Sequence, residues 1–367
     1  MKRMALLLLL AAASCSSPDT RQDFSAELDE FIAGQVEPNG PGGAVLVMKD
    51  TSVVLAKGYG LADLASGEKI TPQTLFNLGS ISKTFVAYGI LILQAEGKLS
   101  VNDSLEKYFP EFKNKEIARR VRIKHLLTHT SGLPDNRQVN RDTVFYLTAN
   151  DAQNWHPVTQ TDTLVFEPGT QYEYSNPAFN GLALIIEQVS GMKWQAFIAQ
   201  RIFQPSGMIS STITDGAHPT SGVAHGYTRI GGKWREDDFG EEPTFCAAGN
   251  GGVWSSVEEL ARYELALRKA TFLDGATIDS SAIVKKFPQW TSPEPPFIGW
   301  SWFIDRTPDG HKVICHTGHQ GGFAAYYISV PSQGILAVVL YNAPYDVYAF
   351  RERLFMLLAS HGWLEGA

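Results

Sequence analysis

The chain has 367 residues, 44% hydrophobic and 19% charged, a composition that can fill a large core and excludes an intrinsically disordered protein. Lys and Arg number 31 against 38 Asp and Glu, a formal net charge of -7. With that mildly acidic balance and no long basic run, nucleic acid is excluded as the expected partner.

Met1-Lys2-Arg3 and the run Leu6 to Ala13 form a basic n-region and an apolar h-region, too short to span a bilayer and shaped like a secretory signal. The mature protein is therefore expected outside the cytoplasm, in the periplasm or on the outer membrane. Ala12-Ala13-Ser14-Cys15 resembles a bacterial lipobox in which Cys15 becomes the lipidated first residue, although Ala12 stands where a larger aliphatic side chain is usual. Ordinary cleavage near Ala13 is the alternative. Ser16 to Thr20 reads as a tether, so residues 1–21 are assigned to signal and tether and 22–367 to one domain. The only membrane contact expected is this anchor, since no other segment is long and apolar enough to cross a bilayer.

Gln22 to Glu37 carries Phe24, Leu28, Phe31 and Ile32 at helical spacing. Ala44 to Met48 and Val53 to Ala56 follow as a hairpin around Lys49 to Ser52. Helices are predicted at Thr84–Ala95, Pro177–Val189, Lys193–Phe203 and Val257–Arg268. The mixed charges from Lys113 to Arg122 read as a solvated helix face. Strands return near His311–His316, Phe323–Val330 and Ile335–Tyr341, before an amphipathic helix from about Tyr345 to Ser360. Short connections imply antiparallel neighbours, so the sheet is expected to be assembled from both chain ends, with terminal helices packed on it.

Ser80-Ile81-Ser82-Lys83 opens an apolar helical run. Side chains three apart on a helix share a face, so Lys83 would reach back to the Ser80 oxygen and, if desolvated, act as its base. The Ser80 N–H, unpaired at the helix start, would stabilise an oxyanion. Taken alone, Ser80 reads equally as an N-cap, and Tyr174 and His316 as packed core residues. His125 and His129 are four apart, but no Glu follows His125 as in the zinc-protease pattern, so capping or core hydrogen bonding is the reading preferred over a metal. Cys315 should point away from His316 by strand alternation. A buried free thiol and a bridge to Cys246 both remain open.

Tyr174-Ser175-Asn176 after Phe166 to Thr170, and His316-Thr317-Gly318 before a glycine-rich turn, complete a set of three motifs. With Leu75 to Gly79, the run Ile123 to Pro134, and Ala247-Ala248-Gly249 ahead of Gly251-Gly252, they resemble the serine β-lactamase and D-alanyl-D-alanine peptidase superfamily in its class C-like branch. The resemblance implies an α+β fold, with a sheet lobe from 22–80 and 300–367, a helical lobe from 81–299, and the site in the crevice between them. It implies Ser80 as nucleophile, with Lys83 and Tyr174 sharing its proton, and Asn176 donating to the substrate amide oxygen and orienting Lys83. The His319 N–H would be the second oxyanion donor. Thr317 would bind a substrate carboxylate, and Gly318 would leave the cleft open.

His316 stands where many β-lactamases of the superfamily carry lysine and some D-amino peptidases carry histidine. Titrating near its ordinary pKa of ~6.5, it would make KM for carboxylate substrates rise between about pH 6 and 8. The implied function is an acyl-enzyme hydrolase of small peptide-like amides or esters, D-amino acid peptides foremost, with no metal or organic cofactor. A class C-like β-lactamase and a non-catalytic penicillin-binding receptor are the alternatives.

Overall fold

Apolar, β-branched and aromatic residues cluster in two N-terminal runs and three C-terminal ones, the residue types that favour strands. In the computed structural model, which describes residues 20–137, 148–213, 219, 221–237 and 248–364, these runs pair into one antiparallel sheet. Its strands are β1 (Gly43–Lys49), β2 (Ser52–Tyr59), β3 (Phe303–Arg306), β4 (Lys312–Gln320), β5 (Phe323–Val330) and β6 (Ile335–Tyr341), in the order β3-β4-β5-β6-β1-β2. Strand β1 joins the two chain ends, with Val45 opposite Val339 on one side and Lys57 on the other.

Six helices frame the sheet and site: α1 (Thr20–Ala33), α2 (Ser82–Ala95), α3 (Asp151–Thr159), α4 (Asn176–Ser190), α5 (Val257–Arg268) and α6 (Val347–Ser360). The alternation along β1 divides the core. Val45 and Val47 pack with Phe24, Leu28 and Ile32 of α1 and Phe350 and Leu354 of α6, whereas Ala44, Leu46 and Met48 face the cluster around α2. Residues Ser82 to Leu93 of α2 are all buried, the mark of a helix enclosed on every side. Helix α4 lies on α2, α3 on α4, and α5 on β1 and β6.

Some local expectations shift. The segment predicted as one helix over Lys193–Phe203 is α-helical at Trp194–Ile198 and turns to π geometry at Ala199–Phe203. The charged run does form a solvated helix, Lys115–Arg120, with Lys113 bonded to Asp162 at 2.5 Å and Arg119 to Glu116 at 3.2 Å. These pairs are exposed and contribute under about 1 kcal/mol each.

The serine is positioned by a small second sheet. Phe76–Asn77 pairs with Val253–Ser255, which also pairs with Thr212–Ile213. The Leu78 N–H then donates to the Val253 carbonyl at 2.9 Å, fixing the strand end from which the catalytic turn leaves.

Candidate active site

Ser80 lies in a tight 3-10 turn, Gly79–Ile81, that runs directly into α2. Gly79 takes φ 50°, a left-handed conformation suited to glycine, and its N–H is held by Asn77 Oδ1 at 2.8 Å. One turn on, Lys83 Nζ donates to Ser80 Oγ at 2.9 Å and to the Asn250 carbonyl at 2.7 Å. Lys83 is completely buried. Burial, with the nearby Arg137 guanidinium, pushes its pKa well below the ordinary lysine value, so the neutral amine that can accept a proton is favoured.

The same turn faces β4. Strand β3 pairs with β4 from Lys312 to Cys315, leaving His316 to Gln320 without a strand partner on that side among the described residues. Gly318 and Gly79 bring the backbones together. A Cβ on Gly79 would stand 2.7 Å from the His319 nitrogen, and one on Gly318 would stand 3.2 Å from the Ser80 nitrogen and collide with the Leu78 carbonyl. The two glycines thus bring the Ser80 and His319 backbone nitrogens to one tight crossing of main chain beside the nucleophile. Thr317 is half-buried on β4, and the His319 side chain is exposed.

Tyr174 comes from the segment before α4, whose N-cap is Ser175, with the Ala178 N–H donating to Ser175 Oγ at 3.3 Å. Lys83 Nζ sits 5.1 Å from the centre of the Tyr174 ring, so the tyrosine shares the lysine's side of the cleft. Asn176 is the half-buried first residue of α4. Sequence assigns the orientation of Lys83 to Asn176; in the structure the Asn250 carbonyl also holds the amine.

His316 departs from expectation. It is 1% exposed, its ring lies 4.8 Å from that of Phe303, and Nδ1–H donates to the Thr317 carbonyl at 2.6 Å. Burial, then the Lys83 charge, lowers its pKa to about 3. Its residue type suggests titration near neutrality, whereas burial beside Phe303 of β3, an aromatic cover no local pattern reveals, favours the neutral ring. Wild-type KM for a carboxylate-bearing substrate should show no step attributable to His316 between about pH 6 and 8. A histidine-like step lost in His316→Asn would contradict this.

His125 and His129 are likewise buried and neutral. His125 Nδ1 accepts the Arg122 N–H at 3.1 Å as a helix cap, and burial foremost lowers its pKa to about 3. Burial, Lys83 and His316 hold His129 well below its ordinary value. Each folded-state pKa is depressed, so the unfolded chain binds the extra proton and stability falls as pH drops below about 6.5. From pH 7.5 to 5.5 His125 and His316 should each cost about 1.4 kcal/mol of stability, and His129 shifts it in the same direction. Asp151, raised to about 7 by burial, opposes them by about 2 kcal/mol over the same interval. Lys83 adds to the loss. Urea unfolding should show lower stability at pH 5.5 than at pH 7.5; equal stabilities would contradict the neutral histidines.

Four buried residues of the site escaped sequence reasoning: Asn250, Asn180, Asp151 and Arg137. Asn250 supplies the carbonyl for Lys83, and its turn is anchored by Asn180 Nδ2, which donates to Asn250 Oδ1 at 3.0 Å and Asp151 Oδ1 at 2.8 Å, while the Gly249 N–H donates to Asp151 Oδ1 at 2.8 Å. The available signal was the glycines flanking Asn250, since a glycine-rich turn presents main chain. Arg137, clasped by Asp135 at 2.8 and 2.6 Å and bonded to Asn154 at 2.7 Å, had no signal. Cys315 points away from His316 into the outer-face core, where the Tyr326 hydroxyl donates to its sulfur at 3.8 Å and burial pushes its pKa up to about 11. Cys15 and Cys246 lie outside the described residues.

A Beta-lactamase family model matches residues 28–361. Penicillin-binding protein 4* of Bacillus subtilis is 27% identical over 308 residues, covering 78% of this chain and 64% of that protein. The chain thus spans somewhat under two thirds of that relative. The octameric penicillin-binding protein homologue from Pyrococcus abyssi superposes with a TM-score of 0.78 at 25% identity, over 93% of this chain and 77% of its own. The D-amino acid amidase from Ochrobactrum anthropi SV3 shares the fold, with a TM-score of 0.75 at 20% identity over 93% and 98% of the two chains. By its sequence match, with an antiparallel sheet, flanking helices and a half-buried serine bonded to a buried lysine, the chain belongs to the Beta-lactamase family.

Proposed function

We propose that the protein is an exported serine hydrolase that opens small amides or esters through an acyl-enzyme, with D-amino acid amides, esters and peptides as its favoured substrates. The observation that carries this is the 2.9 Å hydrogen bond from a wholly buried Lys83 to Ser80 Oγ, beside the facing Ser80 and His319 amides. Ser80 Oγ bonds to the carbonyl carbon as its proton passes to the Lys83 amine, and the carbonyl oxygen gathers charge against the two N–H groups. When the C–N or C–O bond breaks, the leaving group takes that proton, relayed by Lys83 and Tyr174. Water then attacks the acyl carbon, the same pair accepts its proton, and Ser80 departs with a proton restored.

The D-substrate preference draws on fold neighbours named as a D-amino acid amidase and a D-stereospecific amidohydrolase. The neutral His316 also favours substrates without a carboxylate at that end of the cleft. Purified protein should hydrolyse D-phenylalanine amide faster than its L-enantiomer, and a chromogenic cephalosporin slowly. Fast cephalosporin turnover with no amidase activity would instead make it a β-lactamase. Stable acylation by penicillin with no turnover of any substrate would make it a receptor. Export and anchoring rest on the Met1–Cys15 pattern, so Cys15→Ser should release the protein from membranes. A mature chain beginning elsewhere and already soluble would contradict the anchor.

A further inference from the structure

His129 lies at the end of a short helix, Ile123–Leu127, in the run Thr128-His129-Thr130, and no step of the chemistry above uses it. It is 0% exposed and takes φ 54°, a conformation that strains a non-glycine residue and persists only where its surroundings require it. Those surroundings are the two residues flanking Tyr174. The Glu173 N–H donates to the His129 carbonyl at 2.9 Å, and the Ser175 N–H donates to His129 Nδ1, also at 2.9 Å. Between these two bonds the imidazole stacks on the Tyr174 ring, with centroids 4.3 Å apart and planes 24° from parallel. Phe179 closes the far side at 5.2 Å.

We propose that His129 is the positioning residue for Tyr174, latching the chain on both sides of the tyrosine and setting its ring against the cleft by stacking. Because Nδ1 accepts a backbone N–H, the ring proton sits on Nε2 and the imidazole is neutral. An imidazolium would lose the Ser175 bond and would face the Lys83 amine. A core histidine serving packing alone has no need of an acceptor at Nδ1, nor of a strained backbone that delivers its carbonyl to the same loop. Offset stacking adds a directional preference that a general apolar contact lacks.

The inference rests on Tyr174 as the proton carrier of the proposed function, and the test separates the two. His129→Phe keeps a ring face but removes the Nδ1 acceptor. His129→Asn places an oxygen near the Nδ1 position and adopts positive φ readily, but loses the stack. With a chromogenic D-phenylalanine ester, His129→Phe should lower kcat by about 100-fold through misplacement of the tyrosine, leaving KM nearly unchanged. His129→Asn should lower it less while unfolding at the same or a higher temperature. In a Tyr174→Phe background, His129→Phe should cause no further loss, because the group it positions is already gone.

A folded His129→Phe with wild-type kcat, or an equal loss with and without the Tyr174 hydroxyl, would overturn the inference while leaving the reading of Tyr174 intact. If His129→Phe fails to fold, the same comparison made with His129→Asn decides between those outcomes. A Tyr174→Phe protein with unchanged kcat would overturn the reading of Tyr174, and the inference with it.

Discussion

Replacing Ser80 with alanine should abolish hydrolysis and covalent labelling by penicillin or a fluorophosphonate, with kcat falling by about six orders of magnitude. The change removes one oxygen from the 3-10 turn that leads into α2. It breaks the 2.9 Å bond to Lys83, a neutral interaction whose net contribution to stability is about 1 kcal/mol. Gly79 keeps its Asn77 bond, and the Ser80 and His319 N–H groups stay in place, because all of these are set by main chain. Thermal unfolding should therefore shift by only a few degrees. A folded Ser80→Ala protein that still takes up one equivalent of label would remove Ser80 as nucleophile.

Changes at Lys83 should be nearly as severe, and their pattern is more telling. Lys83→Ala removes the base and leaves the Asn250 carbonyl without its donor, so acylation should fall by about three orders of magnitude or more. Lys83→Arg should rescue nothing. A guanidinium retains the positive charge but holds its proton at any accessible pH, and only a group able to lose its proton can serve as base. The sign of the wild-type pH profile follows from the depressed Lys83 pKa. Acylation should be at full rate above that pKa and fall as pH drops through it, with no further rise toward pH 10 from an ordinary lysine. Wild-type activity in Lys83→Arg would mean that charge alone is required.

The parts of this molecule that follow from local periodicity were legible in its sequence. Val45 and Val47 against Leu46 and Met48 declare two faces of β1. Phe24, Leu28 and Ile32 declare one face of α1. The three-residue spacing of Ser80 and Lys83 places both on one helical face before any tertiary contact is known. What was not legible depends on groups without a letter of their own or on partners far along the chain. The acceptor for Lys83 is a main-chain carbonyl 167 positions away, which any residue type could supply. Arg137 and Asp151 act through burial in the folded chain. Strand alternation indicates which way His316 points, but its pKa is lowered by burial in the folded chain, where Phe303 from a neighbouring strand packs on its ring. His129 could be recognised as a core histidine, yet its hold on Glu173 and Ser175 is visible only after folding brings two loops together.

The most direct test of the central claim is the mass of the protein during turnover. Wild-type enzyme mixed with a D-phenylalanine ester, quenched in acid within the first turnovers and analysed intact, should carry one phenylalanyl group. Proteolysis and fragmentation should place that group on the oxygen of Ser80. Rapid turnover on a protein that never gains mass and shows no burst of product, or an acyl group found on another residue, would contradict the account.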